Sequence, residues 1–207
     1  DLMNYGEWHT GFSGTVNINL PMIEENSFDE IKPDTDELIS VYYALTGKFV
    51  PSSNQPNNKI YKCNNPEDII NLICDPDTYK YNCLIDVVAV FKDYDNLDIV
   101  KKIIDNPKYH DYTGIYLDQN DVIKTYFNGV VNNFVKFESD KVFIFFSQRN
   151  IVGTDIKNQP NNLRGLVTID ESSLYTNVAQ GIFRMRKLNK GQIIDIIYYE
   201  ENSNETK

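Results

Sequence analysis

Hydrophobic and polar positions change rhythm several times along this chain, and each rhythm predicts an element. Val16, Ile18 and Leu20 alternate with polar residues after the small-residue turn Gly11-Phe12-Ser13-Gly14-Thr15, so a loop leads into a short extended segment. Between Asp34 and Leu45, the apolar residues Leu38, Ile39, Tyr42 and Tyr43 recur at helical spacing, with Pro33 ahead and Gly47 behind. Residues 51–58, rich in Ser, Asn, Gln and Pro, read as a polar connector. A second helix is predicted from Pro66 to Cys74 on Ile69, Ile70 and Ile73. Cys83 to Phe91 is then a nearly continuous apolar run, the pattern of a central strand covered on both faces.

Leu97, Val100, Ile103 and Ile104 predict a helix, and Ile115 to Leu117 the next strand, which together make a βαβ unit. The Asp118 to Asp121 turn joins that strand to Val122–Phe127 as a hairpin edge. Val142–Phe146, Leu166–Ile169 and Ile193–Tyr199 read as further strands, with a helix from about Thr176 to Lys187 between the last two. The predicted fold class is α/β: a mostly parallel sheet with flanking helices, plus an irregular N-terminal arm. Residues 1–60 form the arm, 61–200 the sheet domain and 201–207 a polar tail.

Composition narrows the function. The 207 residues carry 30 acidic and 20 basic side chains, a net charge of −10, which argues against a broad phosphate-tracking surface. Basic residues nevertheless concentrate between Arg184 and Lys190, so a local positive patch can sit on an acidic body. Cys63, Cys74 and Cys83 form no CxxC pair and are odd in number, which fits a reducing intracellular setting better than a disulfide framework. No apolar run reaches the ~18 residues of a membrane span, so no membrane partner is expected. Asp1 reads as a cut end.

The candidate chemistry lies in Gln180-Gly181-Ile182-Phe183-Arg184-Met185-Arg186-Lys187, which places cations four to seven residues beyond a glutamine. Guanidinium is a planar, permanently charged fork suited to the negative charge that develops on a leaving phosphoryl group. The plain alternative is an amphipathic helix with Val178, Ile182 and Met185 inward and the cations solvated. Gly153-Thr154-Asp155 supplies a small residue for close backbone approach, a hydroxyl, and a carboxylate able to orient an arginine; such triplets are also ordinary turns.

Asp86 stands inside an apolar strand, as a site-facing acid or as a structural cap. His9 and His110 with three scattered cysteines make neither a nucleophile pair nor a zinc site, so no metal ligands are assigned. There is no GxxxxGK[ST] loop and no strand ending in an Asp-Glu pair, so this chain is not expected to hydrolyse ATP alone.

In order, these blocks resemble the motifs of the second RecA-like lobe of superfamily 2 helicases and translocases. Gly11 to Thr15 resembles the motif ending the first lobe, Gly153 to Asp155 the fifth motif and Gln180 to Arg186 the sixth. A more specific likeness covers residues 83–199. Leu84-Ile85-Asp86-Val87, Gly153-Thr154-Asp155-Ile156 and the stretch from Gln180 to Gln192 are similar to blocks of a family of very large eukaryotic and giant-virus proteins of unassigned function. Members are sometimes labelled ubiquitin-hydrolase-like. That family usually has an acidic residue and a histidine where this chain has Ser147 and Asn150.

The resemblance implies a P-loop-NTPase-type fold and an arginine finger at Arg184, with Arg186 or Lys187 as second cation. It implies nucleotide contacts from Gln180, Gly153, Thr154 and Asp155, and interlobe coupling through Gly14 and Thr15. ATP and Mg²⁺ would then be held with an upstream lobe of the same polypeptide, single- or double-stranded nucleic acid being a possible partner. It implies a site of action in cytoplasm or nucleus, or in a virion or virus factory. The other expectation is a degenerate, non-catalytic lobe acting as an interaction or packaging module.

Overall fold

The structure, a computed structural model, describes residues 59–188 and 191–200. The extended segment near residues 16–20, the helix of residues 34–45, the connector at 51–58, Gly14, Thr15 and the polar tail lie outside the described residues.

Eight strands form one sheet among the described residues. They are β1 (Ile60–Cys63), β2 (Cys83–Ile85), β3 (Thr113–Leu117), β4 (Ile123–Phe127), β5 (Val130–Asn133), β6 (Val142–Phe146), β7 (Arg164–Ile169) and β8 (Ile193–Tyr199). Their spatial order is β1-β8-β7-β2-β6-β3-β4-β5. Every pairing from β1 to β3 is parallel, and β3-β4 and β4-β5 are antiparallel.

The apolar runs explain this arrangement, because a strand buried on both faces carries no polar alternation. In β6, Val142, Ile144 and Phe146 enter one core, while Phe143 and Phe145 enter the other. Helices α1 (Pro66–Cys74) and α2 (Asn96–Ile104) contribute Ile69, Ile70, Ile73, Ile99, Val100, Ile103 and Ile104 to the second core. Helix α3 (Tyr175–Ile182) contributes Val178, Ala179 and Ile182 to the first, beside Ile151, Ile156 and Leu163 of the β6–β7 connection. Side chains cap the first two helices, as Asn65 accepts from Asp68 N and Asp95 from Leu97 N. Lys108 Nζ donates to the carbonyls of Ile73 and Asp75 at the carboxyl end of α1, where a cation opposes the helix dipole.

Four features differ from the sequence expectation. The run from Cys83 is not one long strand: β2 stops at Ile85 because the Asp86 carboxylate captures the amides of Val90 and Phe91, 2.9 and 3.0 Å away. Ala89 turns that loop with φ of 57°, a region that costs an alanine ~1–2 kcal/mol. Strands β1 and β5 were not expected. The two-residue turn of β4-β5 is Asn128-Gly129, both with positive φ, the hairpin signal that this pair of residue types carries. Finally, α3 ends at Ile182, so Arg184, Arg186 and Lys187 lie in the turns beyond the helix rather than on it.

At the amino ends of β7 and β8 sits a buried ion pair. Arg164 grips Asp195 in bidentate fashion, Nε to Oδ2 at 2.8 Å and Nη2 to Oδ1 at 3.0 Å. Tyr81 OH donates to the same carboxylate at 2.8 Å, and the Lys59 amide to its other oxygen at 2.9 Å. The guanidinium lies 3.7 Å above the Tyr79 ring. Burial and these hydrogen bonds push the Tyr81 hydroxyl well above its ordinary value, so it stays a donor.

Candidate functional site

In open α/β sheets, ligands collect where neighbouring parallel strands send their connections in opposite directions. Here β2 leads through α2 to β3 on one side, and β7 through α3 to β8 on the other, which places that switch point between β2 and β7. Asp86 fills it. Besides the two amides, its carboxylate accepts from Thr168 Oγ1 at 3.0 Å, and the residue is 1% exposed. The acid therefore closes its own loop instead of facing solvent.

Burial pushes the Asp86 carboxyl above its ordinary pKa, against the donors from Phe91, Val90 and Thr168 that hold it down. A carboxyl raised by folding contributes stability that is complete below its unfolded pKa, near ~3.9, and is lost as pH climbs through the folded value. Asp86→Asn presents an amide N–H to the Phe91 N–H and is expected to cost about 1–3 kcal/mol. Urea unfolding followed upward from about pH 4 should show the gap between parent and variant narrowing as pH rises.

The carboxyl ends of β6 and β3 are also closed by hydrogen bonds. Ser147 Oγ donates to Asn150 Oδ1 at 2.6 Å, and Asn150 Nδ2 donates to Asp121 Oδ1 at 3.0 Å. Ser147 and Asn150 thus bond each other. His110 is exposed, with Nδ1 2.9 Å from the Pro107 carbonyl. Burial pushes the Cys63 thiol up to about 11 and raises Cys74 and Cys83 as well, so none is a ready thiolate.

The two motifs carrying the candidate chemistry do meet. Connection 147–163 and the turns after α3 pack on the same face of the sheet, where Ile151, Ile156, Phe183 and Met185 share one core. Gly153 takes φ of 82°, which reverses the chain there. The Arg184 Nη1 donates to the Thr154 carbonyl, and its Nε donates to the Gln180 carbonyl at 3.3 Å. Arg186 Nε donates to Asp155 Oδ1 at 2.9 Å. Gln180 thus engages Arg184 through its backbone, not its amide. Lys187 contributes a backbone N–H to Gln192 Oε1 at 2.8 Å.

Two buried amides lock this junction. Gln159 donates to the Arg184 carbonyl at 2.6 Å and accepts from Arg186 N and from Gln192 Nε2, both at 3.3 Å. Gln192 also donates to the Pro160 carbonyl at 2.8 Å. Gly181 lets α3 sit down on β2, since a Cβ there would meet Val87 Cγ2 at 2.8 Å and Ile85 Cγ2 at 3.1 Å. Sequence reading missed Gln159, an isolated polar residue in a polar loop with no periodic signal, although the neighbouring Pro160 marks a fixed turn.

The electrostatics distinguish the two arginines. Arg184 is half-buried: burial lowers its pKa, the neighbouring Arg186 lowers it further and Asp155 opposes both. Guanidinium remains cationic under such shifts. The Arg186–Asp155 pair leaves 35% and 39% of the two side chains exposed, so it contributes only about 0–1 kcal/mol and is readily exchanged for a stronger anion. The site occupies a flank of the sheet. Because α3 runs back along the strands, Arg184 and Arg186 lie toward their amino ends, with Met185 seated over Gly165 in β7, and not at the carboxyl ends where open α/β sheets usually bind ligands.

Among the described residues, no group of three or more His, Cys, Asp and Glu side chains is arranged to hold a metal ion. No described helix is long and apolar enough to cross a membrane. No family model, curated protein or solved structure matches this chain.

Proposed function

We propose that this chain is the second RecA-like lobe of a helicase- or translocase-like ATPase, presenting Arg184, with Arg186 or Lys187, to a triphosphate held by another lobe. The supporting observation is the junction of the two motifs: Arg184 and Arg186 hydrogen-bond to Thr154 and Asp155, some thirty residues earlier in the chain. A cation pair held on a small-residue turn by the Thr154 carbonyl and the solvated Asp155 carboxylate, with the Gln180 carbonyl steadying Arg184 from α3, is positioned yet exchangeable. Polyanionic phosphate competes well for both contacts, because charge-assisted bonds to an anion exceed those to a neutral carbonyl. In this reading Mg²⁺ and the phosphate cradle come from the other lobe, and Gly153, Thr154 and Asp155 order the arginines. ATP turnover by a polypeptide carrying both lobes is the test: activity left unchanged by Arg184→Ala rules the reading out.

A second reading, a non-catalytic lobe retained as an interaction module, is favoured by one observation. The switch-point crevice is filled by Asp86 and its loop, so the place where such sheets usually bind ligands is closed.

A further inference from the structure

Among the described residues, the hairpin β4-β5 ends the sheet, and β5 has no strand on its outer side. In a two-residue hairpin the closing pair, here Phe127 and Val130, exchanges both backbone hydrogen bonds, and bonding alternates along the ladder. Phe134 N donates to Ile123 O at 3.0 Å, which carries that parity past the end of β5. Val130, Asn132 and Phe134 therefore turn their backbone groups toward β4, and Val131 and Asn133 turn theirs outward.

Proteins normally blunt such edges with lysine, proline or a bulge. The stretch Val130-Val131-Asn132-Asn133-Phe134-Val135 contains no charge and no proline. Of the ten large hydrophobic residues exposed among the described residues, five (Val122, Phe127, Val130, Val131 and Val135) belong to this hairpin and its flanks. That concentration marks an interaction surface rather than scattered exposure.

Where β5 exits, a depression of about 270 Å³ opens between the hairpin and residues 155–158. Phe134 and Phe137 line it, their rings edge to face with centroids 5.1 Å apart, together with Lys136, Lys157 and Asp155, the last already paired with Arg186. Among the described residues, Lys136 is paired by an exposed contact to Glu138 at 3.7 Å. Strand addition draws affinity from main-chain hydrogen bonds and specificity from neighbouring side-chain pockets, and both are present here. The lysines select an acidic visitor. A second copy of this chain, at net −10, is repelled by its own kind.

We infer that β5 is an acceptor edge for an extended segment of a partner protein, apolar at alternate positions and acidic at one end. The segment pairs with Val131 and Asn133 and sets a side chain against Phe134 and Phe137 between the two lysines. This holds whether or not the arginine junction serves a nucleotide.

The test uses an acetylated, amidated, fluorescein-labelled peptide of sequence Thr-Val-Thr-Val-Glu-Phe-Glu, with binding read by anisotropy and backbone protection by hydrogen exchange. New protection is expected at the outward amides of Val131 and Asn133. Val131→Pro removes an N–H that donates to nothing among the described residues, so it should weaken binding about tenfold or more at unchanged thermal stability. Val131→Lys, which keeps that N–H but guards the edge, should weaken binding too and covers the case in which the proline variant misfolds. Equal binding by both variants, equal binding of a peptide with lysine in place of glutamate, or dimerisation of the chain through β5 in place of peptide capture would each overturn the inference.

Discussion

Replacing Asp195 with alanine is expected to remove about 3–5 kcal/mol of folding stability, the cost of leaving a buried charge without its partner. Arg164 is the orphan. Its side chain is 11% exposed and that of Asp195 1%, so the lost carboxylate lies out of reach of bulk water. Tyr81 OH and the Lys59 amide lose their acceptor at the same time. Against a usual total of about 5–15 kcal/mol, a loss of this size leaves the chain marginal. The double variant Asp195→Leu with Arg164→Met removes both charges and should recover most of the loss, since such pairs often exchange for apolar residues at little cost. Chemical denaturation of the parent and the two variants measures both. A loss below about 1 kcal/mol in Asp195→Ala would mean that the pair is solvated.

The second large effect falls on activity. On the proposed reading, in a polypeptide that joins this chain to a lobe bearing a phosphate cradle, Arg184→Ala should lower ATP turnover by ~10³-fold or more, the range of an arginine finger. Arg184→Lys should restore little, because an ammonium point charge does not reproduce the two-pronged contact. Arg186→Ala should cost less, since Arg186 is the more exposed of the two and its partner Asp155 is solvated. Arg184 also ties the turn at Thr154 to the end of α3, so its loss loosens structure as well as chemistry. The kinetic split separates these: a lost transition-state contact lowers kcat and kcat/KM together, whereas removal of uniform binding raises KM with kcat unchanged.

Much of the sheet was legible because burial on two faces writes itself into sequence as uninterrupted apolar runs. Val142–Phe146 was read from that signal alone and Ile193–Tyr199 from a run broken only by Asp195, while α1 was read from helical spacing with a proline at its start and α2 from helical spacing. The stop after Ile85 was not legible, because it depends on a single carboxylate reaching two amides further along. β5 was missed although Asn128-Gly129 announces its turn, since a strand exposed at every position has no apolar face to alternate. The Arg164–Asp195 pair was invisible for another reason. Residues 31 apart carry no shared period, and only the parallel register of β7 and β8 brings them together.

For the junction of Gly153–Asp155 with Arg184 and Arg186, motif order suggested proximity. It could not supply the buried glutamines that hold the two segments in place, nor the position on the flank of the sheet.

Arginine modification reports on that junction most directly. In the two-lobe polypeptide, phenylglyoxal labelling of Arg184 and Arg186 is followed by mass spectrometry, with and without ADP, Mg²⁺ and aluminium fluoride as a phosphoryl-transfer mimic. Protection of both arginines by the mimic, absent in a variant whose phosphate cradle is disabled, is the expected result. Labelling of Arg184 that proceeds at the same rate with the mimic bound would contradict the assignment of these guanidinium groups to a nucleotide.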